Sequence, residues 1–206
     1  MTQLLLSIHI LAGTLALFCS TLSVFSEKGK QLHVYSGRAY FWCMAIIFLT
    51  AVPMSVIKNN LFLFLIAIFS FYLAFAGMRF ARNREGVATT FDWIAVAFMI
   101  LSGLGMWILA AIYFSSNNSQ YIVLLIFGFL AMALGYIDLR SYRDETATGK
   151  ERISRHLTNM LGGTIAVVTA VLVVNPPFEP EWVWWVFPTV AITPVIFWWN
   201  KKVLNS

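Results

Sequence analysis

Charge is scarce in this sequence. Asp, Glu, Lys and Arg make up 11% of its 206 residues, less than half of the roughly 25% usual for a soluble domain. Hydrophobic residues reach 60%. No single core could conceal them in water, because even a domain of about 150 residues leaves roughly 30% of its unfolded surface exposed. A soluble globular enzyme and a disordered chain are both excluded. Cysteine is scarce too: Cys19 and Cys43 lie within apolar runs, which excludes a disulfide scaffold. Cys19 follows Phe18 and not a small residue, unlike the cleavage cysteine of a lipoprotein. A Gly-rich phosphate loop, a Cys pair at metal spacing, a His-Glu-x-x-His run and a distinctive Ser/His/Asp constellation are all missing. So is the basic start of a cleavable signal peptide. Met1-Thr2-Gln3 is uncharged, and the apolar stretch behind it outruns the signal core of about 7–15 residues. The first segment is therefore expected to be a retained spanning helix.

What remains is an all-α polytopic membrane bundle, one integral membrane domain over residues 1–206 with no folded soluble domain at either end. Seven stretches, near 3–25, 38–57, 60–82, 91–114, 121–143, 154–175 and 182–200, have the roughly 20 residues that cross a hydrocarbon core of about 30 Å. They are continuously apolar, as spanning helices are, and do not alternate as barrel strands do. Polar or charged segments separate them. Lys28, Lys30, Arg38, Arg79, Arg82, Arg84, Arg140, Arg143, Lys150, Arg152, Arg155, Lys201 and Lys202 all fall at one end of such a bundle, leaving Lys58 opposite. By the positive-inside rule the N-terminus is expected outside and the C-terminus in the cytoplasm, across the inner (cytoplasmic) membrane. An odd number of spans agrees with that. Trp182, Trp184, Trp185, Trp198, Trp199, Trp42 and Trp93 fall where an aromatic belt belongs. The expected partners are the lipid bilayer and anionic lipids at the basic face, with Arg38 a candidate contact, and no nucleic acid. Small residues at four-residue spacing, Ala12/Ala16, Gly77/Ala81, Ala131/Gly135 and Gly162/Ala166, suit close helix packing, and a homodimer face is the alternative use. Pro53, Pro188 and Pro194 fall inside expected helices and should kink them.

Few residues can carry chemistry in such a chain. Each histidine has a small or soft residue four positions on, His9/Gly13, His33/Gly37 and His156/Met160, which on a helix lies on the same face. His9 is expected about 9 Å below the outer end of the first span. His33 and His156 belong to the opposite, basic end, where they could together hold a metal or phosphate group. Asp138 is the most suggestive acid, since an intramembrane ionisable residue is a functional-site hypothesis by default. Depth makes Arg79 or Arg140 its natural partner, as an ion pair or proton relay. Asp92 suits a helix N-terminus. Cys19 and Cys43 fall at similar depth on adjacent spans, where inert thiols are the simpler reading and a Cu(I) site the sharper one.

The run Ile8-His9-Ile10-Leu11-Ala12-Gly13, then Lys28-Gly29 and His33-x-x-x-Gly37-Arg38, resembles a bacterial membrane family catalogued as domain of unknown function 2306. The later Arg155-His156-Leu157 to Met160 segment resembles that family's second histidine region. Val34 follows His33 where many relatives carry an arginine, so the resemblance does not imply a fixed imidazole–guanidinium anion clamp there. The family implies a fold and no activity. Three functions compete. The first is a redox bundle binding haem b or a transition metal through His9, His33 and His156. A bis-histidine haem requires that His33 and His156 both lie on helical extensions, while His9 would need Met54 or Met106. The second is a small-molecule or proton-coupled transporter with an Asp138–Arg79 path. The third is a membrane-embedded metal hydrolase using His33, His156 and Asp138.

Overall fold

The computed structural model describes residues 2–174 and 176–205. Met1, Asn175 (the expected end of the sixth span) and Ser206 lie outside the described residues. The described chain is seven helices: α1 (Thr2–Phe25), α2 (Gln31–Ile57), α3 (Leu61–Arg82), α4 (Thr90–Ser115), α5 (Tyr121–Arg143), α6 (Gly149–Val174) and α7 (Trp182–Asn205). All seven are long and apolar enough to cross a membrane, which makes this a multi-pass membrane protein.

Two helices begin earlier than hydropathy predicts. α2 starts at Gln31 and not near 38, and α6 starts at Gly149 and not near 154. A hydropathy boundary marks where apolar solvation ends, whereas the helical hydrogen-bond ladder can continue into the head-group layer, where long basic side chains reach water. These extra turns carry His33 and lengthen the helix ahead of Arg155 and His156.

α3 and α6 pack against each other at the centre. The α1–α2 hairpin lies along one side, α2 on α3 and α1 on α6, and the α4–α5 hairpin packs through α4 onto α3. α7 covers α6 and touches α5. Phe69, Leu73 and Phe80 of α3, Met99 and Met106 of α4, and Leu124 and Phe127 of α5 are buried. Lipid tails are as apolar as these side chains, so close van der Waals fit holds the helices together. The small residues permit it. A Cβ on Gly103 of α4 would sit 3.1 Å from the Gly128 carbonyl of α5, and one on Gly77 of α3 would sit 2.7 Å from Met160 Cγ of α6. Side chains such as Phe18, Trp42, Leu49, Phe91 and Phe129 point outward. That surface would be a liability in water and is solvated by acyl chains here.

Candidate functional site: a histidine cleft at the basic end

His33 stands in the first turn of α2, facing the last turn of α1. Its Nδ1 is 3.0 Å from the Ser23 carbonyl, one of the carbonyls that a helix C-terminus leaves without an internal partner. Lys28 Nζ donates to the same oxygen at 2.8 Å. On α6, His156 Nδ1 is 2.8 Å from the Gly77 carbonyl of α3. A carbonyl only accepts, so each Nδ1 carries a proton, and in the neutral ring Nε2 is the nitrogen with the lone pair. No described residue bonds either Nε2. The two ring centroids are 6.3 Å apart with planes at 88°.

The pair lines a cleft of about 380 Å³ walled by α2, α3 and α6. Gly37, one turn beyond His33, also lines it. A Cβ there would meet nothing nearer than Ser23 Oγ at 3.8 Å, so packing does not require this glycine. Met78 and Met160 supply soft apolar walls, while Arg38, Arg82 and Arg84 bring positive charge, and no carboxylate lines the cleft.

His9 lies elsewhere. It is fourteen residues from Ser23 along α1, about 21 Å at 1.5 Å per residue. Its Nδ1 bonds Thr50 Oγ1 at 2.9 Å, and Thr50 is itself turned onto the Ile46 carbonyl at 2.8 Å. This is a tie between α1 and α2 in the other half of the bundle, so the three histidines do not form one site. Met106, offered as a partner for His9, is instead fully buried in the core that α4 shares with α3 and α5.

Asp138 does pair, but neither Arg79 nor Arg140 is the partner. Arg155 of α6 reaches it through Nε at 2.8 Å and through Nη2 on the same carboxylate oxygen. Tyr72 of α3 donates to the other oxygen at 2.7 Å, with Asn159 Nδ2 at 3.4 Å. Arg79 is taken by Asp92, through two bonds of 2.7 Å, and Arg140 points outward to Asp144 at 3.3 Å. Depth along the membrane normal cannot say which way a side chain faces round its helix, and that is what separates these arginines. Asp138 has no exposed surface and lines neither the histidine cleft nor the cleft of about 500 Å³ beside Arg140.

The His33/His156/Asp138 set is not assembled either. Among the described residues no three His, Cys, Asp or Glu side chains gather as metal ligands. Cys19 and Cys43 are free thiols, half-buried on α1 and α2. Tyr72, Arg155 and Asn159 were not among the expected site residues. Arg155 and Asn159 are four apart on α6, one polar stripe on a mostly apolar helix, and that stripe was the available signal. No family model, curated protein or solved structure matches this chain.

Proposed function

We propose that this protein is a redox-type membrane bundle that holds a haem or transition-metal cofactor between His33 and His156. The observation that carries this reading is the pair of imidazoles on separate helices, each with Nδ1–H committed to a backbone carbonyl and Nε2 bonded by no described residue. Metal-ligating histidines are characteristically held this way, because the second-nitrogen bond sets the tautomer and the ring direction. The ring centroids are 6.3 Å apart, close enough for one bound group to reach both imidazoles.

Haem b fits better than a bare ion. A structural or catalytic zinc asks the protein for three or four ligands, and only two histidines meet here. A haem would bring most of its own donors and would ask the protein for two more, the number of imidazoles that meet here. When bound, it supplies one-electron chemistry at a potential tuned by those ligands and by burial. His33 and His156 would hold it, and Met78 and Met160 give the apolar wall. Cu(I), with the two thioethers added, is the alternative occupant.

Two of the segments that carry the resemblance to domain of unknown function 2306, His33 to Arg38 and Arg155 to Met160, border this one cleft, which supports reading them as one site, whereas Ile8 to Gly13 lies in the other half of the bundle. We place the cleft at the cytoplasmic face of the inner membrane, since the basic residues collect at its end, with anionic lipid around it.

The test is elemental and optical analysis of protein purified in mild detergent from cells with ample haem supply. The wild type is expected to carry one cofactor per chain, with the absorption of bis-imidazole iron if haem is bound. His33→Ala and His156→Ala should each lose that absorption while eluting as folded protein, and His9→Ala should keep it. Wild-type protein holding neither haem nor a stoichiometric transition metal would overturn the reading.

A further inference from the structure

Eight arginines occur in the chain, and five of them are satisfied within it. Arg79 is clamped on Asp92, Arg155 on Asp138, and Arg140 and Arg143 share Asp144. Arg152 caps α3 through the Phe80 and Ala81 carbonyls at 2.9 and 2.6 Å. Among the described residues Arg38, Arg82 and Arg84 have neither a carboxylate nor a hydrogen-bond partner, and these three all line the histidine cleft. They come from α2, from the end of α3 and from the loop behind it. Three exposed arginines without a partner thus line the same cleft as the two imidazoles.

Like charges brought together cost free energy unless something of opposite sign joins them. Membrane orientation explains why the arginines are at this end. It does not explain why the unpaired ones converge on one cleft while the other five have partners. We infer that Arg38, Arg82 and Arg84 form an anion-binding mouth, and that the ligand seated against His33 and His156 carries carboxylate or phosphate groups. This rests on the cofactor reading above and deepens it: the occupant is an apolar, metal-bearing ring with free carboxylates, which haem b is. The guanidinium fork matches such groups in charge and geometry.

Haem and its dimethyl ester differ in those carboxylates alone. Apoprotein in zwitterionic lipid discs is titrated with each, following the absorption change. The wild type is expected to bind the diacid at least about tenfold more tightly, the size of one charge-assisted hydrogen bond. Arg38→Gln/Arg82→Gln/Arg84→Gln should bring the two ligands to parity without altering the bis-imidazole spectrum. Arg82→Gln alone, at an exposed position, should give part of that loss should the triple variant fail to fold. Equal wild-type binding of both ligands, with the spectrum intact, would overturn the anion mouth and leave the cofactor reading standing. A preference that vanishes in discs of anionic lipid would assign the arginines to lipid phosphates and overturn it as well. Absence of binding by either ligand would overturn the cofactor reading and this inference with it.

Discussion

Arg155 of α6 closes its guanidinium on Asp138 of α5, between two helices that do not pack along their lengths. The carboxylate is fully buried, and Phe80 of α3 lies under the guanidinium, 5.8 Å from it to the ring centroid. Tyr72 and Asn159 occupy the remaining acceptor sites. Arg155 directly precedes His156 on α6 but does not line the histidine cleft, so the pair serves as a cross-strut on a neighbouring face of that helix.

Removing one member of this strut strands the other. Asp138→Asn leaves Arg155 buried without a counter-charge, and a broken buried pair typically costs about 3–5 kcal/mol. The expected result is a large drop in thermal stability in detergent, with the cofactor spectrum retained in the fraction that stays folded. An Asp138→Asn protein of wild-type stability would show that the pair contributes nothing to folding. The double change Asp138→Leu/Arg155→Met should recover much of the loss, since it removes both charges together.

Gly77 serves two purposes: it lets Met160 lie against α3, and its carbonyl orients His156. Gly77→Ala would put a Cβ 2.7 Å from Met160 Cγ and 3.2 Å from its backbone nitrogen. Overpacking of this kind costs about 1–3 kcal/mol. Both stability and cofactor retention should fall. Adding Met160→Ala should restore part of each, and the backbone contact should keep the rescue incomplete.

Asp92 satisfies the start of α4 and ties it to α3. Its Oδ2 accepts from the Thr89 backbone N–H at 2.8 Å and from Thr89 Oγ1 at 2.7 Å, while Arg79 holds both oxygens. Asp92→Ala leaves those donors unpaired, at a cost of about 1–3 kcal/mol. Denaturation curves should show that loss, and hydrogen exchange should locate it at the α3–α4 connection.

Asp144 lies outside the spans, where a hydrogen bond from Arg143, followed by one from Arg140, holds its carboxyl below the usual carboxylate range. A depressed carboxyl contributes stability above its unfolded pKa and loses it as pH falls through the folded value. Asp144→Asn should therefore be slightly less stable than wild type at neutral pH, and the two profiles should converge in strong acid. The difference stays small because both arginine side chains are about two-thirds exposed and water screens the pair.

Much of this architecture is readable from residue order. The seven apolar runs, the polar segments between them and the alternation of basic loops specify seven helices with one basic end. Small residues such as Gly77 and Gly162 sit where helices cross, as their spacing predicts. The histidine cleft was half legible. The requirement that His33 and His156 occupy helical extensions could be stated beforehand; the early start of α2 meets it for His33, while His156 falls within the expected sixth span itself. Arg82, Arg84 and Arg155 could not be distinguished from the other cations of the basic end.

The division has one physical cause. Transfer from water to lipid is a property of each side chain and of its depth, so composition along the chain is enough to establish spans, ends and interfaces. Pairing is a property of two side chains and depends on the rotation of each helix about its axis and on which helices are neighbours. That is why the scarcity of charge already required a membrane bundle, while the choice of Arg155 over Arg79 or Arg140 for Asp138, and the meeting of His33 with His156, came from how α2, α3, α5 and α6 pack.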